Sequence, residues 1–287
     1  MANIDASKLF PSKIGKVGFI YPVFFAIIIS MFLVQLILLV SPYQENTMSS
    51  LQSSFSISTL VNLVFVSVFS AFGLYALFKI KKIGNHLASN ILIAIFIEGG
   101  MLAIMLFGKL FFITVGFESP IFLVFVAIVA YVGSYFVFLS FVGRLSRKAK
   151  NRLFIISSGS LGSFLGLLLP FPIIIVVSVV LAVADTILIQ KSLFKGFLGE
   201  ANYEKMIIEM AFSTSEWGIG IGDLISYSMI VAGTFVNFGL VVGCLSLLCI
   251  LLATIFTMRL TAKQKYVPGL PIATVFGLLP SIVFFVL

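Results

Sequence analysis

Two aspartates lie inside apolar runs of this 287-residue chain, where an ionised carboxylate is costly. Asp185 is found in VVLAVADTILIQK, and Asp223 follows three glycines in GIGIGD. Neither run offers a Lys or Arg at the same depth, so two carboxyl groups that meet there are expected to share a proton. Such a pair can hydrolyse an amide: one carboxylate takes a proton from the attacking water, and the other carboxyl donates to the carbonyl oxygen. The alternative is a hydrogen bond between two protonated acids that only joins two helices.

Glycines lead directly to the second aspartate. Gly218, Gly220 and Gly222 remove side chains from the approach to Asp223, so the backbone of another segment can come close. An extended peptide could then pair there, edge to edge. A glycine face that packs against a neighbouring helix fits the same pattern, and the glycines alone do not decide between the two.

A third unusual stretch, VPGLPIA, contains Pro268 and Pro271. Two prolines three residues apart remove backbone donors and favour an extended or broken segment before a helix. Irregular backbone of this kind is tolerated at membrane depth where it lines a water-filled cleft. For Pro271 a simple helix start is the alternative.

The elements that must position these residues are membrane helices. Hydrophobic residues make up 61% of the chain and charged residues 10%, whereas a soluble domain carries about a quarter charged residues. The apolar runs approach the roughly 20 residues that a helical span needs, which predicts an all-α membrane protein with nine transmembrane helices. The predicted spans are 18–40, 57–79, 87–113, 119–143, 153–169, 172–191, 219–235, 237–259 and 268–287.

The positive charges give the orientation. With nine spans, every Lys and Arg except Lys109 falls on one side of the membrane, and the opposite loops carry Glu45 and Glu118. By the positive-inside rule the N-terminus is cytoplasmic and the C-terminus extracytoplasmic. Lys109 lies near the outer end of the third span, where its side chain can reach the interface. The net charge of +8 therefore indicates cytoplasmic loops rather than a nucleic-acid surface.

This topology brings the two aspartates to one depth. Asp185 precedes the inner end of the sixth span by six residues, and Asp223 follows the inner start of the seventh by about five. Each is then about 6–9 Å below the cytoplasmic boundary. The chain divides into 1–191 with six spans, a cytoplasmic loop at 192–217, and 218–287 with three spans.

The motifs resemble those of a known family. GIGDLISYS at 220–228 resembles the GxGD motif of presenilins, VADTI at 183–187 resembles their other aspartate motif, and PGLP at 268–271 resembles their PAL motif. The three occur in the family's order on spans six, seven and nine. The chain is similar to the presenilin and signal peptide peptidase family of intramembrane aspartyl proteases, and its short loops resemble those of archaeal homologues.

The resemblance implies residue roles. Asp185 and Asp223 would be the catalytic pair of an endopeptidase that cuts single-span transmembrane peptides, and Gly220 and Gly222 would shape the approach to them. The PAL-like stretch would align the site and bind substrate through Pro268, Gly269, Leu270 and Pro271. The sequence departs from the family at Ala184, where a tyrosine is usual, and at Gly269, where the motif has alanine. The orientation matches presenilins, whereas signal peptide peptidases are inverted.

The loop at 192–217 is unusually apolar. Five of its residues are Met206, Ile207, Ile208, Met210 and Phe212. We expect the loop to cover the active site as a lid, and an interfacial amphipathic helix is the equal alternative. The family's corresponding region is cut during self-processing.

Two other classes use similar features. A proton-coupled transporter or ion leak protein could use the same carboxylates as a relay, although no inverted repeat is visible. A prepilin-peptidase-type enzyme shares GxGD chemistry but lacks a PAL-like element.

The remaining polar groups indicate neither a cofactor nor a metal. Cys244 and Cys249 lie five residues apart with no further ligand nearby and read as small apolar residues. Glu98, near the middle of the third span, is not expected to be catalytic. No obligate partner subunit is inferred, an oligomer is compatible with the sequence, and the expected location is a prokaryotic plasma membrane.

Overall fold

Helices dominate the computed structural model, which describes residues 20–40, 85–116, 120–190, 211–213, 218–261 and 268–286. The helices are α1 (Ile20–Val40), α2 (Asn85–Val115), α3 (Pro120–Phe141), α4 (Arg147–Leu168), α5 (Phe171–Gln190), α6 (Ile221–Thr261) and α7 (Leu270–Val286). Two short strands, β1 (Ala211–Ser213) and β2 (Gly218–Gly220), pair antiparallel. Hydropathy predicts neither strand, so the all-α prediction is right for the scaffold and wrong for this ribbon.

The described helices are those of an integral membrane protein. Four stretches are long and apolar enough to cross a bilayer: Ile20–Leu38, Asn90–Ile113, Pro120–Phe141 and Ile221–Thr261. Two shorter apolar stretches, Phe171–Ile187 and Leu270–Phe284, accompany them. The predicted second span, 57–79, lies outside the described residues, as do residues 1–19 and Leu287. Nine spans and the orientation therefore stay predictions.

Helix α6 consists of two arms joined at Gly239, whose φ of 86° and ψ of 176° are not helical. A Cβ added to Gly243 would lie 2.9 Å from the Cβ of Phe235, although eight residues of straight helix span about 12 Å. The chain therefore turns back at Gly239, and the first arm (221–238) packs against the second arm (240–261). This combination of φ and ψ is essentially restricted to glycine.

The turn corrects one predicted boundary. The seventh and eighth spans were expected to meet at residue 236, and they meet at Gly239 instead. Both sides of the break are equally apolar, so hydropathy does not locate it. The seventh span also begins later than predicted, at Ile221 rather than 219, because the residues before it belong to β2.

Helix α4 is packed closely on several sides through its small residues. A Cβ on Gly159 would lie 2.6 Å from the carbonyl oxygen of Ala26 in α1. A Cβ on Gly162 would lie 2.6 Å from the carbonyl oxygen of Ile225 in α6, and Gly166 faces the same helix one turn later. Small residues allow helix backbones to approach this closely in a membrane protein. The glycines thus fix α4 against α1 and the first arm of α6.

The main core joins the helices that carry the aspartates. Buried side chains of α5, α6 and α7 meet there, among them Ile174, Leu224, Ile230 and Leu270. Helices α2 and α3 form a second core with α4. Much of the surface of α3 is exposed and apolar, as expected for a helix that faces lipid.

Candidate active site

Asp223 lies at the N-terminus of α6. It is the third residue of the helix, and its carboxyl faces back to Gly220, the residue before the helix begins. A Cβ on Gly220 would lie 3.4 Å from Asp223 Oδ2, and the backbone of Gly220 hydrogen-bonds the carboxyl. An acid at this position reaches an N–H that the helix leaves unpaired, and it lies at the positive end of the helix dipole.

Asp185 lies near the end of α5 and meets the N-terminus of α7. The backbone N–H of Leu270, the first residue of α7, donates to Asp185 Oδ2 at 3.2 Å, and the backbone of Gly269 also hydrogen-bonds this carboxyl. The first N–H groups of a helix have no partner within it, so they are available to a carboxylate. Pro271 occupies the first turn, where its missing N–H removes no helical hydrogen bond.

Gly269 connects the two aspartates. A Cβ at this position would lie 2.8 Å from Asp223 Oδ2, so an alanine side chain would require the carboxyl to move. The adjacent amide of Leu270 binds Asp185, and the two carboxyl groups interact through their charge. The structure thus brings the predicted pair together around the PGLP segment. Asp185 and Asp223 are both partly buried, and neither pairs with a Lys or Arg among the described residues.

Tyr227 is a further member of this cluster. Its side chain is buried, and its hydroxyl donates to the carbonyl oxygen of Gly269 at 3.2 Å. It lies one helical turn after Asp223, on the same face of α6. The sequence could have pointed to Tyr227, because it follows Asp223 by four residues, the spacing that puts two side chains on one face of a helix.

The ribbon of β1 and β2 leads into the site. Ala211 pairs with Gly220, Phe212 with Ile219 and Ser213 with Gly218. Gly218 and Gly220 are therefore part of a strand, and the alternative of a glycine face in helix packing is wrong for these two residues. A Cβ on Gly222 would meet no atom within 4 Å, so the space beside Asp223 is open there.

Asn151 of α4 holds the ribbon from the other side. Its side-chain amide donates to the carbonyl oxygen of Ser213 at 2.8 Å and accepts from the N–H of Ser213 at 3.2 Å. The sequence did not predict a role for Asn151, because it lies in a run of Lys and Arg that is typical of a solvent-exposed loop.

The other predicted residues have no contact of this kind with the pair. Pro268 and Pro271 flank the bridging segment and are half-buried. Glu98 of α2 is exposed, and its carboxyl lies against Gly133 of α3. Within the predicted lid at 192–217, the structure describes Ala211–Ser213 only. The lid therefore stays a prediction. Within the described part of the chain, no three His, Cys, Asp or Glu side chains cluster as metal ligands would.

The helices and the paired carboxyl groups define a polytopic membrane protein with a two-aspartate centre. Its fold is similar to that of a presenilin-family protease. A solved structure of a presenilin-family intramembrane aspartate protease is similar to this chain with a TM-score of 0.61, covering 93% of this chain and 97% of the other at 18% sequence identity. No family model matches the sequence, and no curated protein matches it.

Proposed function

We propose that this chain is an intramembrane aspartyl endopeptidase that hydrolyses peptide bonds of single-span transmembrane substrates. The observation that carries this proposal is the convergence of Asp185 and Asp223 on the two residues Gly269 and Leu270. Two carboxyl groups that have no Lys or Arg partner among the described residues are suited to sharing one proton. The fold, similar to that of a presenilin-family protease, supports the same reaction class.

The chemistry follows from the shared proton. The ionised carboxyl removes a proton from a water molecule as its oxygen attacks the substrate carbonyl carbon, and the protonated carboxyl donates to the carbonyl oxygen. Collapse of the tetrahedral intermediate breaks the C–N bond and returns a proton to the leaving amine. The Leu270 N–H and the Gly220 backbone orient the two carboxyl groups during these transfers.

The substrate is proposed to pair with the edge of β2 that no described strand occupies. Both backbone groups of Ser213 bind Asn151, so Ser213 and Gly218 form a pair without mutual hydrogen bonds. Pairs alternate along an antiparallel ladder, so the backbone groups of Gly218 and Gly220 point away from β1. The Gly220 backbone already binds Asp223, so the N–H and the carbonyl group of Gly218 are the ones that an added strand would pair with. An extended peptide added at this edge would run directly past Asp223.

The setting of the reaction is proposed from the charge distribution. The N-terminus is cytoplasmic and the C-terminus extracytoplasmic, which puts the aspartates near the cytoplasmic face of a prokaryotic plasma membrane. A transmembrane substrate would unwind near that face before it is cut. The enzyme is proposed to work without an obligate partner subunit, metal or cofactor.

The test is cleavage of a single-span peptide by the purified protein in liposomes. We expect Asp185→Asn and Asp223→Asn to remove cleavage, because either change abolishes the shared proton while keeping the shape of the side chain. Glu98→Gln is the matched control, since it also neutralises a carboxyl group at membrane depth but lies against Gly133. Equal cleavage by wild type and Asp223→Asn would refute the proposal.

Proton flux measured in the same liposomes separates the protease from a transporter that uses these carboxyl groups as a relay. We expect no flux that depends on Asp185. Flux that disappears in Asp185→Asn, with no cleavage in the wild type, would favour the transporter.

A further inference from the structure

The side-chain amide of Asn151 takes the place of a third strand beside β1. One planar amide satisfies both the N–H and the carbonyl group of Ser213, at 3.2 and 2.8 Å. This is the pattern that the backbone of a neighbouring strand would provide. The outer edge of β1 is therefore occupied at Ser213.

The helix that carries Asn151 is closely packed against its neighbours. Asn151 lies in the second turn of α4, the helix whose glycines pack closely against α1 and α6. Each strand has only three residues, so the ribbon depends on its surroundings. The side chains of Phe212 and Ile219 pack into the main core, and Asn151 supplies the hydrogen bonds at the outer edge of β1. Two hydrogen bonds therefore hold β1 at a fixed place relative to α4.

β1 is in turn linked to the second aspartate, Asp223, through β2. β1 pairs with β2, and β2 ends at Gly220, whose backbone hydrogen-bonds the carboxyl of Asp223. A shift of β1 would move the edge at which the substrate is proposed to pair and the group that orients Asp223. Both effects alter which peptide bond meets the carboxyl pair.

We propose that Asn151 is a positioning residue that sets the register of cleavage by anchoring β1 to α4. This inference rests on the proposed protease function. It assigns to α4, which carries neither aspartate nor the PAL-like segment, a direct role in the choice of the cleaved bond.

The first test compares Asn151→Leu with Arg152→Gln as the matched control on the same turn of α4, where the Arg152 side chain is exposed. We expect Asn151→Leu to cleave about tenfold more slowly, as the loss of two hydrogen bonds implies. We also expect it to spread the cuts over neighbouring peptide bonds, as read by mass spectrometry of the products. Arg152→Gln should keep the wild-type rate and cut sites.

The cut sites distinguish positioning from stability. A variant that merely unfolds more easily leaves less active enzyme, so its rate falls while the distribution of cuts stays the same. Wild-type cut sites in Asn151→Leu would therefore overturn the proposal, whatever the rate.

Hydrogen exchange provides the second test and needs no substrate. The Ser213 N–H donates to Asn151 Oδ1, so its exchange with solvent deuterium reports whether the anchor holds. We expect this N–H to exchange about tenfold faster in Asn151→Leu than in Arg152→Gln. Equal exchange in the two variants would contradict the anchor. A wild type that cleaves no peptide refutes the protease itself, while the exchange rates still show whether Asn151 holds β1.

Discussion

At the scale of single residues, the two carboxyl groups are oriented by backbone amides at helix N-termini. Asp223 lies at the start of α6 and binds Gly220, and Asp185 binds the first amide of α7. A Lys or Arg beside the pair would favour the ionised form of both groups and oppose proton sharing. Backbone N–H groups at a helix start orient a carboxyl group without adding a full charge. This explains how the apolar helices α5 and α6 can carry the pair with no Lys or Arg beside it among the described residues.

Tyr227 gives the residue-scale prediction. Tyr227→Phe removes the hydrogen bond to the carbonyl oxygen of Gly269, which lies next to both aspartates. A typical hydrogen bond contributes about 0.5–1.5 kcal/mol, so we expect cleavage to slow by about twofold to tenfold while the protein stays folded. The measurement is the rate of peptide cleavage together with the thermal unfolding temperature.

The matched control for this change is Tyr135→Phe on α3. Tyr135 is exposed on α3, which packs mainly against α2 rather than against the helices that carry the aspartates, so loss of its hydroxyl should leave the rate unchanged. A Tyr227→Phe enzyme as fast as the Tyr135→Phe enzyme would show that the bond to Gly269 does not support the site.

At the scale of helices and strands, the sequence predicted the parts that follow from composition and spacing. Depth along two consecutive spans predicted the meeting of Asp185 and Asp223, and the prolines predicted the irregular start of α7. Hydropathy reports whether a segment is apolar, not which atom it touches. It therefore missed the turn at Gly239, which depends on one residue's φ and ψ. It also missed the contact between Asn151 and Ser213, which joins positions 62 residues apart.

The packing of α4 gives the element-scale prediction. A side chain on Gly162 would meet the carbonyl oxygen of Ile225 at 2.6 Å, and backbone cannot move aside as a flexible side chain can. We expect Gly162→Val to lower the free energy of unfolding by about 1–3 kcal/mol, the usual cost of overpacking. Thermal unfolding in detergent measures this.

Gly99→Ala in α2 is the control for this change, because a Cβ there would lie 3.6 Å from Leu161, an ordinary contact. Alanine in place of glycine within a helix should raise stability slightly. If Gly162→Val unfolded at the same temperature as Gly99→Ala, the close approach of α4 and α6 would be wrong.

At the scale of the whole molecule, orientation decides from which side the aspartates receive water. The turn at Gly239 sends the two arms of α6 back past each other, and α2, α3 and α4 follow one another through short connections. If the nine predicted spans are right, helices linked in this way cross the membrane alternately. The end of α3 and the start of α4 then lie on the side opposite to the connection between α2 and α3, and that end of α4 carries Asn151 beside the ribbon.

Labelling from one side of the membrane tests this arrangement. Cys244 and Cys249 are first replaced by alanine so that they cannot be labelled. We then expect Ser146→Cys, before α4, to react with a membrane-impermeant maleimide only after the cells are opened. Glu118→Cys, between α2 and α3, should react on intact cells. The reverse pattern would put the basic loop outside, and the inverted orientation would then open the aspartate pair to the opposite compartment. Reaction of both residues on intact cells would instead mean that α3 does not span the membrane, and the nine-span topology from which the cytoplasmic position of the aspartates follows would be wrong.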